Sequence, residues 1–142
     1  MIHILSDTDI ILDVITGRLP YAVDSSTLFT LIEEGKIRSS ASSLSFSNMY
    51  YVLRKYASHQ RVVPRLQELA EILGILNVDE SMIKQALQSG FKDFEDAIQY
   101  QAALSVPDIS VIVTRNIKDY KLAGLPVMAP ETFLKTYLHT KS

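Results

Sequence analysis

The 142-residue sequence contains no cysteine, which rules out disulfides and every cysteine-based zinc site. That absence suits a reducing compartment. No apolar run approaches the roughly 18 residues that a membrane-spanning helix needs. The opening segment, Met1–Asp9, lacks a basic start and a long apolar core, so no secretory signal and a cytoplasmic location are expected. Repeats, low-complexity tracts and linker-like stretches are lacking too, which predicts one domain over residues 1–142. A chain this long can bury about 70% of its unfolded surface, so the fold needs no covalent staple. Neither sign of charge is in great excess. The net charge of −2 and the isoelectric point near 5.9 argue against phosphate binding over the whole surface. They permit a local basic patch beside an acidic site.

What is present is a succession of short patterned segments. Ile2–Leu5 reads as a buried strand, and Thr8–Thr16 has helical spacing that stops at Gly17. Ser25–Glu34 repeats helical spacing at Leu28, Leu31 and Ile32 and stops at Gly35; Ile37–Ala41 reads as a weak strand. Leu44–Ala57 is predicted as an amphipathic helix with Phe46, Met49, Tyr50, Leu53 and Tyr56 on one stripe, capped by Ser42 or Ser43. A helix over Val62–Leu73, a strand over Ile75–Val78 and a helix over Asp79–Ser89 follow. Asp93–Ser105 is a helix halted by Val106-Pro107, and Ile109–Val113 is a β-branched strand of the kind buried on both faces. Pro126–Met128 reads as a last strand and Pro130–His139 as a closing helix begun by proline. Strands separated by helices predict a three-layer α/β/α, Rossmann-like fold with a central, mainly parallel sheet. Its functional cleft should lie beyond the carboxyl ends of the strands.

Acidic residues collect at those ends. Asp7 and Asp9 follow the first strand; Asn116 and Asp119 follow the fourth. Asp93, Glu95 and Asp96 open one helix, where Asp93 and Asp96 share a face and Glu95 is expected to point into solvent. Mg²⁺ and Mn²⁺ favour such oxygen donors, and either ion lowers the pKa of bound water and neutralises charge growing on a phosphate. Each acid also admits a structural explanation. Asp93 and Asp96 can cap their helix, and Asn116 and Asp119 have the same offset at another helix start. Asp7 is harder to explain that way, because an unpaired carboxylate at the end of a core strand is costly. Arg115, Lys118 and Lys121 flank the acidic edge and either hold phosphates or form a solvated turn. His3, His59 and His139 are scattered without ligand spacing, and Tyr50, Tyr51 and Tyr56 read as core or dimer-face residues.

Four segments together carry a resemblance. Ile4-Leu5-Ser6-Asp7-Thr8-Asp9-Ile10-Ile11-Leu12-Asp13, Ser47-Asn48-Met49-Tyr50-Tyr51-Val52-Leu53-Arg54, Asp93-Phe94-Glu95-Asp96-Ala97-Ile98-Gln99 and Val113-Thr114-Arg115-Asn116-Ile117-Lys118-Asp119-Tyr120 resemble, in order and spacing, the signatures of PIN domains. The resemblance implies an Mg²⁺- or Mn²⁺-dependent endoribonuclease of the VapC-like kind, a toxin held inactive by an antitoxin protein and often dimeric. It places Asp7, Asp96 and either Asn116 or Asp119 at the metal-site positions, with Asp93 beside them. Arg115 and Lys118 would contact RNA. The sequence departs from the pattern twice. Asp9 stands where the family usually has Asn, and Asn48 stands where many members have Glu. The second departure supports an alternative, a PIN-like module that binds RNA or protein without hydrolysis. A third reading, a haloacid-dehalogenase-type phosphatase, rests on Asp7-Thr8-Asp9 with Thr114 at the place of a second motif, but Pro126–Met128 leads into Ala129-Pro130 with no acidic pair.

Overall fold

The computed structural model of the chain describes residues 1–121 and 123–141; the expected domain end at Ser142 lies outside them. Five strands form one parallel sheet: β1 (His3–Ser6), β2 (Arg38–Ser42), β3 (Gly74–Leu76), β4 (Ile109–Val113) and β5 (Val127–Met128). Their order is β3-β2-β1-β4-β5, and every pairing is parallel. The helices are α1 (Thr8–Thr16), α2 (Tyr21–Glu33), α3 (Ser43–Leu53), α4 (His59–Ile72), α5 (Glu80–Gln88), α6 (Phe94–Leu104) and α7 (Pro130–Lys141). From β1 the chain steps outward to β2 and β3, then crosses back to lay β4 on the other side of β1. The point where the direction reverses, between β1 and β4, is where a doubly wound sheet opens a crevice.

The central strands are buried on both faces, so their apolar residues run in pairs instead of alternating with polar ones. Ile4 and Val113 pack with the helices of one layer, including Ile11, Leu28 and Phe133. Their neighbours Leu5 and Ile112 point the other way, toward Ala103 and Tyr120. The three-layer α/β/α architecture expected from the sequence is the one observed. Among the described residues no helix is long and apolar enough to cross a membrane.

Several boundaries differ from expectation, each for a local reason. The α2 helix starts at Tyr21, right after Pro20 and a turn earlier than the apolar spacing indicates, because Tyr21 and Val23 are solvent-exposed and leave no stripe to read. The long helix expected over Leu44–Ala57 ends at Leu53. There Arg54 turns back to Tyr50 Oη (3.1 Å) and the Ala57 carbonyl (3.3 Å), and Tyr50 Oη meets His59 Nδ1 at 2.7 Å. The next helix begins at His59, not Val62, and so carries Pro64 in its interior. Capping by Ser42 holds as expected, its Oγ accepting the Ser45 N–H at 3.1 Å.

His3, given no role from sequence, is buried under the sheet's amino end. It lies 2.8 Å from Ser40 Oγ and 3.1 Å from Asp108 Oδ2, and burial lowers its pKa. The imidazole thus joins β1, β2 and the start of β4.

Two-sided burial of β4 has a measurable consequence. Ile112 is fully buried. Ile112→Ala should therefore cost about 2–5 kcal/mol of unfolding free energy in urea denaturation. A loss below about 1 kcal/mol would show that the second face of the sheet is not packed.

Candidate active site

The site is built at the β1–β4 crevice. Asp7 is the first residue beyond β1 and the N-cap of α1, where its extended backbone (φ −70°, ψ 155°) lets Oδ1 accept the Thr8 N–H at 2.7 Å. A helix start favours an anionic cap. Thr114, the first residue beyond β4, donates its hydroxyl to Asp7 Oδ2 at 2.8 Å. The Tyr120 hydroxyl, from the 3₁₀ turn Ile117–Tyr120, lies 3.1 Å from the same oxygen and 3.3 Å from Asp96 Oδ1. One phenol oxygen therefore joins the carboxylates of α1 and α6. A phenol carries one proton, so both contacts are hydrogen bonds at once only when one carboxyl is protonated and donates in turn.

The electrostatics agree with that geometry. Burial, and then the charge of Asp9, push the Asp7 carboxyl up to about 7. Burial, and then the charges of Asp7, Asp93 and Asp119, push Asp96 up to about 8. Asp9 is raised as well, chiefly by burial. Burial beside these acids holds the Tyr120 phenol far above its ordinary value, so it remains a proton donor.

A cleft of about 380 Å³ opens over this cluster, lined by Asp7, Asp9, Asp93, Glu95 and Asp96, with Asn48, Asn116 and Tyr51. Asp93 caps α6, its Oδ1 accepting the Asp96 N–H at 2.9 Å. Asn116 precedes the turn at 117–120, yet its side chain makes no capping bond there. Asp119 is half-buried, and its charge acts on Asp96. Glu95 is exposed as expected, but it lines the cleft instead of turning away from it. Tyr51 is exposed at the cleft and Tyr56 is 82% exposed, so neither is a core residue.

The basic residues are placed differently. Lys118 is exposed on the turn. Arg115 grips the buried Asp13 through Nε–Oδ2 at 2.6 Å and Nη2–Oδ1 at 3.2 Å, with its guanidinium 4.1 Å over the Tyr21 ring. Its backbone N–H donates to Asp9 Oδ2 at 3.0 Å. The guanidinium lies outside the lining of the acidic cleft.

Four buried polar atoms around the cleft have no hydrogen-bond partner among the described residues: Asp9 Oδ1, Asp96 Oδ2, Asn48 Nδ2 and Gln99 Oε1. Buried polar atoms are nearly always paired, so a cluster of exceptions at one spot is a functional signal. Gln99 sits in a hydrogen-bonded knot with Thr8 and Ser45, the two hydroxyls being 2.7 Å apart, which fixes α1, α3 and α6 to one another behind the acids.

Sequence reasoning gave Asp13, Gln99, Thr114 and Tyr120 no role in the metal site, although all four stand within the resembling segments. Asp13 did leave a signal, an acid on the core-facing side of α1 four residues after Asp9. Tyr120 closes the fourth resembling segment, but a 3₁₀ turn has no periodicity long enough to show which way its side chains face.

Comparison with known proteins agrees with the fold. A chain of the VapBC2 complex from Rickettsia felis, bound to a DNA fragment from its promoter, superposes with a TM-score of 0.64 at 18% identity, covering 90% of this chain and 97% of that one. A chain of a toxin–antitoxin complex from Klebsiella pneumoniae gives 0.64 at 24% identity, covering 89% and 97%. One from VapBC-1 of nontypeable Haemophilus influenzae gives 0.63 at 18%, covering 92% and 99%. No curated protein sequence matches the chain significantly. The PIN-domain family profile matches residues 3–118, which take in β1, β4 and every acid of the cleft, so the chain belongs to the PIN domain family.

Proposed function

We propose that the chain is an Mg²⁺- or Mn²⁺-dependent endoribonuclease that cuts single-stranded RNA, the toxin of a toxin–antitoxin pair. The observation that carries the reading is the joining of Asp7 and Asp96 on one tyrosine hydroxyl, at the switch point of the sheet, inside a cleft with three further carboxylates. Membership of the PIN family makes this the expected place for such chemistry and removes the phosphatase reading. Solved relatives of the fold come from toxin–antitoxin complexes, which supports a cognate antitoxin protein as partner. A homodimer and a cytoplasmic setting go with that reading.

The donor set fits a hard divalent cation. Among the described residues no three acids converge tightly enough to hold a metal by themselves. Mg²⁺ does not need such a cage, since it commonly takes one or two carboxylates and completes its shell with water and substrate phosphate. Asp96 Oδ2 and Asp9 Oδ1 are buried acceptors without hydrogen-bond partners among the described residues, and burial raises both acids, Asp96 further through its acidic neighbours. Asp7, Asp96, Asp93 and Asn116 would hold the ion, Asp9 contributing its free oxygen. When bound, it supplies a Lewis acid and a water of lowered pKa.

The chain's own residues set the geometry. Thr114, the Thr8 N–H and Tyr120 fix the Asp7 carboxylate, and Tyr120 fixes Asp96 relative to it. Asp119, close enough to influence Asp96, orients the attacking water and takes up its proton. Lys118 gives an exposed positive charge to the phosphate, and Arg115 holds the Asp9 segment in place through Asp13 and its own N–H. Asn48 brings an amide to the cleft where a glutamate would bring a charge. That one residue favours a second reading, a PIN domain that binds RNA or protein without cutting it.

Two measurements follow. In chelator, the folded chain keeps protons on Asp7 and Asp96 up to about pH 7 and 8, whereas the unfolded chain has released them near its ordinary value of 3.8. The folded state therefore binds more protons in that window, so stability falls as pH rises, by up to about 1.4 kcal/mol per pH unit for each retained proton. Between pH 6.5 and about 8, above the range of His3, Asp96→Asn should flatten this slope and raise the melting temperature at pH 8. A wild type and variant with parallel curves would show that Asp96 carries no such load.

Cleavage of a single-stranded RNA in Mg²⁺ and in Mn²⁺, with chelator controls, tests the reading as a whole. Asp96→Asn should abolish cutting, and Asn48→Glu should tighten metal binding and raise the rate. Cutting that survives chelator or Asp96→Asn would overturn the metal mechanism. A wild type that cuts nothing in either ion, and is not rescued by Asn48→Glu, would establish the binding-module reading.

A further inference from the structure

A cleft with five carboxylates repels the polyanion it is meant to cut. Affinity for a nucleic-acid strand must therefore be built outside the cleft. Directly beside it, sharing Asp9, Leu12 and Val52 as a common wall, runs a larger groove of about 910 Å³ between α1 and the α3–α4 corner. It is lined by Arg18, Arg61, Arg65 and Arg115, four of the six arginines in the sequence, and, among the described residues, by no lysine. Asp13 occupies Arg115, but the other three are exposed. Arg65 lies 3.9 Å from Glu68, with both side chains more than half exposed, and such a pair is worth little. Tyr56, 82% exposed, lines the same groove.

We propose that this groove is the track for the RNA strand on one side of the scissile bond, with Arg18, Arg61 and Arg65 holding successive phosphates and Tyr56 stacking a base. The assignment rests on the nuclease reading. A planar guanidinium fork matches two phosphate oxygens at once, as a lysine ammonium does not. A cationic groove with an exposed aromatic ring is the combination that binds single strands, whose bases are free to stack. A duplex keeps its bases stacked on each other and has no use for Tyr56. An acidic peptide would use the arginines but gain nothing specific from the continuity with a phosphodiester-cleaving cleft. The groove thus supplies the attraction that the cleft lacks, and it delivers the strand across the Asp9 wall into the acids.

The test uses the full chain in chelator, where no cutting occurs, with a fluorescent ten-nucleotide single-stranded RNA and anisotropy read across a salt series. The variants are Arg61→Gln/Arg65→Gln, Tyr56→Ala and, as a control on α5, Lys84→Gln. The double variant should bind at least about tenfold more weakly and lose about 0.7 from the salt slope for each phosphate released. Tyr56→Ala should weaken binding about tenfold with the slope unchanged. Lys84→Gln should change neither. In Mg²⁺ or Mn²⁺ the double variant should show a raised KM with kcat retained. The track is overturned if the double variant binds with the wild-type affinity and slope, or if a glutamate-rich peptide of equal charge competes as well as unlabelled RNA. Cleavage whose KM ignores the arginines removes the track and leaves the nuclease standing. Arginine-dependent binding by a chain that cuts no RNA removes the nuclease and, with it, the assignment of a track to a scissile bond.

Discussion

The structure turns on the buried carboxylate of Asp7. Three elements reach it: the start of α1 through the Thr8 N–H, the end of β4 through Thr114, and the 3₁₀ turn through Tyr120. A charge in this position is costly unless it is satisfied. These bonds offset part of the cost, but burial still pushes the carboxyl up to about 7. The fold thus tolerates a strained charge at the one place where the sheet topology opens a crevice. A doubly wound sheet provides the location; the unpaired charge gives it chemistry.

Not every acid near the crevice is left under-compensated, and the division is informative. Asp13 is as buried as Asp7, yet Arg115 meets it with a two-point ion pair and Tyr21 lies against the guanidinium. That pair is internally balanced and its work is positional: it anchors α1 to the segment after β4, so that the Arg115 N–H reaches Asp9. Asp96, in the first turn of α6, has no ion-pair partner among the described residues and keeps one oxygen without a hydrogen bond there. Asp13, held by its arginine, braces the site, whereas Asp7 and Asp96 line the cleft.

Much of this was legible in the sequence because hydrophobic patterning is loud. The apolar runs of β1 and β4 and the three-residue spacing of Asp93 and Asp96 fixed the layers and sent the acids to one edge. What stayed hidden was decided by direction at short range. The Tyr120 hydroxyl and Thr114 reach Asp7 from segments too short to show a period. The corner after Leu53 is set by Arg54, Tyr50 and His59 bonding one another, a side-chain arrangement that outweighs the apolar stripe continuing to Ala57. Tyr56 falls on that stripe in the sequence, yet it is 82% exposed. The turn that frees it also opens the arginine groove.

Net charge near zero looks at first like an argument against a protein that handles RNA. The spatial arrangement reverses that inference. Five of the sixteen acids line a single cleft, and four of the six arginines line the groove next to it, with only Asp9, Leu12 and Val52 between them. The two fields cancel in the total and not in space. Screening lengths in salt are about 8–10 Å, so a strand lying across the shared wall meets each field nearly separately. An acidic hollow alone would hold a cation and repel its substrate; a basic groove alone would bind strands and do nothing to them. Set on either side of the wall formed by Asp9, Leu12 and Val52, the two would let a single small domain do both under the function proposed above.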